Sequence, residues 1–271
     1  MTTRISTRNA RFQQWQALLD NRTKRHRLGE FLVQGVRPIS AAVEHGWTVR
    51  ALLGDDRGRR SAWAAGLWDS RTEVLAQAER VLLDPALLAE LGEKDEPPEL
   101  VAVVGRPEDD LDRLTSGSLV VVLDRPTSPG NIGTVARCAD AFGAAGLVVT
   151  GHGADPYDPR AVRASTGSLF ALTVVRSPSP GEVLAWAAGN AHRVLGLDES
   201  GGLDVRDADL TGPLALVVGN ETSGLAAGWR EGCDALVSIP IRGSASSLNM
   251  ATAAAIVLHE ALRQRLPQAP S

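Results

Sequence analysis

The chain has 271 residues, 44% of them hydrophobic, with a formal net charge of −4 and two cysteines, Cys138 and Cys233. That is enough apolar material for a sizeable core, while no stretch approaches the roughly 20 apolar residues of a spanning helix, and Arg4, Arg8 and Arg11 precede no apolar run of the signal-peptide kind. Two cysteines without metal-ligand spacing exclude a disulfide framework and a zinc site, so the expectation is a reducing, cytoplasmic setting with no metal and no membrane.

The charge is unevenly spread. Residues 1–50 carry nine arginines and lysines against three acids, or +6, which leaves −10 for the rest of the chain. A basic module on an acidic body attracts a phosphate backbone without regard to base identity. Phe12, Trp15, Leu18 and Leu19 fall at helical spacing and predict a packing helix from Arg8 to Asp20, followed by a basic loop from Asn21 to Arg27. Arg22, Lys24, Arg25 and Arg27 in that loop are the candidate phosphate contacts. Phe31-Leu32-Val33 reads as a strand, Pro38 to His45 as a helix with proline near its start, and Val49 to Leu53 as a strand. Further signals at Ala62 to Leu67, Glu73 to Ala76, Pro85 to Leu91 and Leu100 to Val104 complete a small α/β domain over residues 1–105. Residues 106–118, with Glu108, Asp109, Asp110 and Asp112, read as a polar linker.

A second α/β domain over residues 119–271 opens with Leu119-Val120-Val121-Val122-Leu123, a continuous apolar run of the kind a parallel strand needs when buried on both faces. Similar runs recur at 147–149, 194–197, 214–218 and 236–239, with helical segments at Ile132 to Phe142, Gly181 to Ala188, Leu225 to Glu231 and Leu248 to Arg265 between and after them. This alternation predicts a mostly parallel sheet with helices on both faces.

In such a sheet ligands collect beyond the carboxyl ends of the strands, and three loops there are rich in polar residues. After the first run come Asp124 to Arg137, with Asn131 at a helix start and Arg137 six residues on. After the fourth comes Gly219-Asn220-Glu221-Thr222-Ser223-Gly224-Leu225, a tight turn with one carboxylate, and after the last a Gly/Ser loop from Ile239 to Asn249 that runs into the final helix. Each has an ordinary explanation alone: Asn131 as a helix cap, Arg137 in a surface ion pair, Glu221 at a helix N-terminus, Ser247 capping the last helix. Converging at one end of a sheet, an arginine, a carboxylate, a hydroxyl and two amides make a candidate site. No GxGxxG opens a helix after a strand and no Walker A sequence occurs, so a dinucleotide-dependent oxidoreductase lacks its fingerprint.

At these loops the sequence closely resembles the SpoU/TrmH-type ribose methyltransferases of the SPOUT superfamily. Pro129-Gly130-Asn131-Ile132-Gly133 with Arg137, Val218 to Leu225, and Ile239-Pro240 with Gly243 and Ser247-Leu248-Asn249 follow the order of the family's three motifs. Lys24-Arg25 through Phe31-Leu32-Val33-Gln34-Gly35 resemble its L30e-like substrate-binding domain, though Gln34 stands where many relatives have glutamate. The resemblance implies a deep trefoil knot, a homodimer, S-adenosyl-L-methionine as cofactor, and an RNA ribose 2′-hydroxyl as methyl acceptor, with 23S rRNA favoured over tRNA. It assigns the chemistry to Arg137, Asn131, Glu221, Ser247 and Asn249, and cofactor contact to Gly219, Asn220, Ile239 and Leu248, with Thr150 and Gly151 beside them. Glycines at Gly219, Gly224 and Gly243 suit close passage of backbone. The rival within the same fold is a non-catalytic RNA-binding or assembly factor.

Overall fold

The computed structural model describes residues 2–57, 60–93 and 96–267. In chain order its first half runs β1 (Thr2–Ile5), α1 (Ala10–Asp20), α2 (Arg22–Leu28), β2 (Glu30–Gln34), α3 (Val36–Glu44), β3 (Val49–Asp55), α4 (Ala62–Asp69), α5 (Glu73–Ala76), β4 (Glu79–Leu83), α6 (Pro85–Gly92) and β5 (Leu100–Gly105). The second half runs β6 (Leu119–Asp124), α7 (Pro129–Ala141), β7 (Gly146–Thr150), α8 (Pro159–Ser165), β8 (Thr173–Ser177), α9 (Pro180–Gly189), β9 (Arg193–Leu197), β10 (Leu203–Asp204), β11 (Leu214–Val218), α10 (Ala227–Gly232), β12 (Ala235–Ser238) and α11 (Met250–Arg265).

The chain divides into two compact units, Met1–Pro107 with Tyr157–Phe170, and Glu108–Pro156 with Ala171–Ser271. The first is built on a five-stranded sheet in the order β1-β4-β3-β5-β2, in which β5 runs antiparallel to both neighbours. Its core joins Phe12, Trp15 and Leu18 of α1 to Leu53, Val81, Val101 and Val103 of the sheet and Leu87, Leu88 and Leu91 of α6. Each fully buried Leu, Val or Phe side chain of this kind contributes about 1.5–3 kcal/mol. Residues 157–170 bring α8 against β2 and close an aromatic cluster, with Phe31 4.8 Å from Tyr157 and 6.2 Å from Phe170 between ring centroids. Trp47 joins it edge-on and donates its indole N–H to the Phe170 carbonyl at 2.9 Å, so it packs within the unit.

Two readings of this unit change. The segment expected as a basic loop is the helix α2, because Asn21 caps it by accepting from the Lys24 N–H at 2.9 Å and Gly29 ends it at φ 63. Strand β4 was hidden by Glu79-Arg80; Arg80 is buried within it because its guanidinium donates to the carbonyls of Trp68, Ser70, Leu75 and Ala78.

The second unit carries a seven-stranded sheet, all parallel, in the order β10-β12-β9-β11-β6-β7-β8. Every residue of β6, β7 and β11 is buried, as their unbroken apolar runs require. On one face Val120, Val122, Val148 and Val217 pack with Val183 and Trp186 of α9 and Trp229 of α10. Alternation places Val121, Leu123 and Leu216 on the other; α7 and α11 pack together, and their buried residues include Ala136, Ala139, Ala251 and Ala254. Strand β11, the central strand, thus delivers its terminal turn between the loops of β6 and β12.

Candidate active site

At the end of β6, Asp124 is 1% exposed and accepts from the Ala226 N–H at 2.7 Å, while Arg125 folds back on it at 2.9 Å. Arg125 has φ 49, a left-handed conformation for a non-glycine residue, and is held there by its bonds. Its guanidinium donates to the Gly224 carbonyl at 3.0 Å, and its own carbonyl accepts from Asn220 Nδ2 at 2.6 Å. Asn220 Oδ1 accepts from the N–H groups of Thr222 and Ser223, and Asn220 pairs backbone to backbone with Gly224, whose φ is 62. The turn after β11 is therefore closed on itself and stitched to the loop after β6. A Cβ at Gly219 would lie 2.6 Å from the Gly224 carbonyl carbon, so only glycine fits. Gly243, by contrast, has open space around it, so close backbone passage does not account for that glycine, contrary to expectation.

Ser128, not Asn131, caps α7: its Oγ accepts from the Asn131 N–H at 3.3 Å, with Pro129 in the first turn. This leaves the Asn131 side chain free to donate from Nδ2 to Glu221 Oε1 at 2.9 Å. Glu221 also accepts from the Thr127 N–H at 3.1 Å, the Thr127 hydroxyl at 3.0 Å and the Ser128 N–H at 3.4 Å. Burial pushes the Glu221 carboxyl up, but the bonds from Asn131 and Thr127 outweigh it and hold the group ionised below the ordinary carboxylate value. From the third loop, Asn249 caps α11 by accepting from the Ala251 N–H at 2.9 Å and donates to Asn131 Oδ1 at 3.3 Å. Glu221, Asn131 and Asn249 thus form one hydrogen-bonded line joining all three loops.

Beside this line is a cavity of about 410 Å³ whose wall includes Gly219, Asn220, Ile239, Ser247 and Leu248 together with Glu221. Its size suits a small cofactor. Val218, Val237, Ile239 and Leu248 supply apolar surface for a flat ring, and the missing Cβ at Gly219 leaves backbone as part of the wall. These features fit S-adenosylmethionine. Thr150 and Gly151 do not belong to this wall: Thr150 is fully buried with its hydroxyl directed to the Leu123 carbonyl, and Gly151 packs under Arg125. A more open depression of about 580 Å³, near Asp110 and Trp186, contains no residue of the three loops.

Arg137 lies in α7, exposed, with no side-chain hydrogen bond or ion pair among the described residues. At about 100° per residue, six residues separate it from Asn131 by a third of a turn, so the two do not share a face. In the first unit Arg27 is exposed and Arg22 and Lys24 are half-buried, but Arg25 is 2% exposed. Its Nη1 donates to the carbonyls of Leu18 and Leu19, and Nη2 lies 3.7 Å from Asp158. Arg25 therefore closes the C-terminal end of α1 and is corrected from a phosphate contact to a structural cation. Gln34 is buried, donating to the Leu91 carbonyl at 2.7 Å and accepting from Arg163 at 3.4 Å, an arrangement a neutral amide satisfies.

Sequence reasoning missed Asp124, Arg125 and Thr127, the residues that hold Glu221 and its turn. Their signal was the polar run that follows the buried strand. Among the described residues no group of three His, Cys, Asp or Glu is placed to hold a metal, and no helix is long and apolar enough to cross a membrane.

The family described as the SpoU rRNA Methylase family matches residues 118–259, and the SpoU L30e-like domain matches residues 9–102. A relative from Streptomyces viridochromogenes, 23S rRNA (uridine(2479)-2′-O)-methyltransferase, is 60% identical over 97% of this chain and 93% of its own length. The crystal structure of the SpoU methyltransferase AviRb from the same organism, in complex with the cofactor AdoMet, superposes with a TM-score of 0.88 at 59% identity, covering 95% of this chain and 98% of that one. An AdoMet-bound rRNA methyltransferase from Sinorhizobium meliloti gives 0.87 at 28% identity over 98% and 99%. With three motif loops meeting at one end of a parallel sheet and both halves matched, the chain belongs to the SpoU rRNA methylase family.

Proposed function

We propose that this protein transfers the methyl group of S-adenosylmethionine to the 2′-hydroxyl of a uridine ribose in 23S rRNA. The observation that carries the reading is the Glu221, Asn131 and Asn249 line beside the glycine-walled cavity, in a chain 60% identical to a 23S rRNA uridine-2′-O-methyltransferase. When bound, the cofactor supplies an electrophilic methyl group on a sulfonium centre. Gly219, Asn220, Ile239 and Leu248 would hold it, while Ser247 and Asn249 complete the polar side of the site.

The chain's own task is to place the sugar oxygen and stabilise the charge it gains as its proton leaves. Asn131 is fixed from both ends of its amide, by Glu221 and by Asn249, so it presents a rigid wall to substrate. Arg137 has no side-chain partner among the described residues, and a guanidinium, which donates at every nitrogen and accepts at none, suits electrostatic stabilisation of the developing alkoxide and not abstraction of its proton. We infer a homodimer with Arg137 at its interface: α11, which packs on α7, leaves Ile256 39% exposed, and Phe142 meets His259 edge-on at 5.7 Å. We also infer the deep trefoil knot of the family. Close backbone passage supports it, since a Cβ at Gly201 would lie 2.7 Å from the Leu236 carbonyl oxygen. Arg22, Lys24 and Arg27 of α2 would contact RNA phosphates, in the cytoplasm where rRNA is made.

Incubation with labelled S-adenosylmethionine and either 23S rRNA or total tRNA, followed by mapping of the modified nucleotide, tests the proposal. Label on a uridine 2′-oxygen of 23S rRNA is the expected result. Label confined to tRNA would move the substrate, and cofactor binding without transfer to either RNA would favour the non-catalytic factor.

A further inference from the structure

The cavity beside Glu221 has three acids in its wall, Asp198, Glu199 and Glu221, and a single cation among the described lining residues, Arg230 of α10. That cation is held at two points. Its Nη2 lies 2.7 Å from Asp198 Oδ2, and its Nε donates to the Leu225 carbonyl at 3.3 Å. Nη1 has no partner among the described residues, and the side chain is 43% exposed.

Asp198, by contrast, is a fixed carboxylate. It is 3% exposed at its side chain, and Oδ1 accepts from the Ser200 N–H at 2.9 Å and the Ser200 hydroxyl at 2.6 Å. Its own N–H donates to the Val237 carbonyl at 3.0 Å, which ties the loop after β9 to β12. Burial pushes the carboxyl up, but Ser200 and Arg230 together outweigh that and hold it ionised below its ordinary value. A long side chain locked by such a partner loses little further rotamer freedom when it binds something else.

S-adenosylmethionine carries one anionic group, the carboxylate of its amino-acid arm, alongside an ammonium and a sulfonium. The acids of the cavity suit the two cationic groups. An unpaired carboxylate entering a partly enclosed cavity loses hydration that nothing returns, unless a donor meets it. We propose that Arg230 is the anion-recognition residue of this cavity, its open Nη1 edge taking the carboxylate of the cofactor's amino-acid arm, with Asp198 as the positioning residue. The assignment rests on the cofactor reading above. A purely structural strap between Asp198 and Leu225 needs neither an open guanidinium edge nor a place in the cavity wall.

The test is calorimetric binding of four ligands to the intact protein and to Arg230→Met and Arg230→Lys. S-adenosylmethionine and S-adenosylhomocysteine carry the carboxylate; decarboxylated S-adenosylmethionine and 5′-methylthioadenosine do not. Arg230→Met should weaken the first pair about tenfold to a hundredfold, the worth of a charged hydrogen bond, and leave the second pair within about twofold, with Arg230→Lys in between. Equal weakening of all four would make Arg230 a strap and overturn the assignment, as would no weakening. The unmodified protein gives a reading that needs no variant: it should bind S-adenosylmethionine at least about tenfold more tightly than its decarboxylated form, and equal affinity overturns the proposal. Failure to bind any of the four would sink the cofactor reading itself.

Discussion

Arg25 and Glu221 are both charged side chains that the sequence marks as functional, yet the structure uses them in opposite ways. Arg25 is enclosed in the first unit and bonded to the carbonyls of Leu18 and Leu19, groups that α1 must have satisfied in order to end there. Glu221 is only partly buried, and its donors come from residues 90 to 94 positions earlier in the chain, which meet it at the mouth of a cavity. A charge answered by the end of the neighbouring helix is architecture. One answered by distant loops at a strand's carboxyl end, with a cavity alongside, is chemistry held in place.

That contrast breaks first at Arg25. Arg25→Ala leaves buried carbonyls without a donor and should cost about 3 kcal/mol of stability, read as a lower urea midpoint; an unchanged midpoint with weaker RNA binding would return Arg25 to the RNA-contacting set. Glu221→Gln turns one acceptor oxygen into a donor facing donors. Its turnover should fall about 100-fold, near 2.7 kcal/mol in the barrier, while the urea midpoint moves little. A large loss of stability at equal turnover would make Glu221 architectural too. Replacing Arg22, Lys24 and Arg27 together by glutamine should weaken RNA binding about tenfold and flatten its salt slope by about 2, close to 0.7 for each phosphate no longer neutralised. The smallest effect concerns pH. Because the folded Glu221 carboxyl lies below its ordinary value of 4.5, the stabilisation it gives is present above that value and is lost as pH falls through the lower, folded one. Solvent screening keeps this contribution under about 1 kcal/mol, so only an acid limb present in the unmodified protein and missing in Glu221→Gln would reveal it.

The sheet of the second unit was legible because strands buried on both faces must be apolar at every position, as Leu119 to Leu123 and Leu214 to Val218 are. Strands at its margins were not: β8 mixes Thr173, Arg176 and Ser177 into its five residues, and β10 is two residues long. In the first unit β1 has only Ile5 buried, so it carries no alternation to read. The three site loops were legible through their motifs, and the structure hydrogen-bonds Asn131 to both Glu221 and Asn249 while Arg137 stands outside that line. Which polar residue does which job was not. Ser128 takes the capping role that Asn131 could have filled, and Thr127, Arg125 and Arg230 act through contacts made across long stretches of chain, for which local pattern carries no signal.

Residues 157–170 pack Tyr157 and Phe170 onto Phe31 and Trp47, although more than a hundred residues of chain separate them. The first unit is therefore not a severable piece of chain. A gene fragment cut at the acidic stretch after β5 would leave Phe31 and Trp47 facing water on one piece and Tyr157 and Phe170 on the other. A chimera that borrows this unit from a relative must bring the later fourteen residues with it, so lineages that exchange it by recombination need three crossover points here, not one.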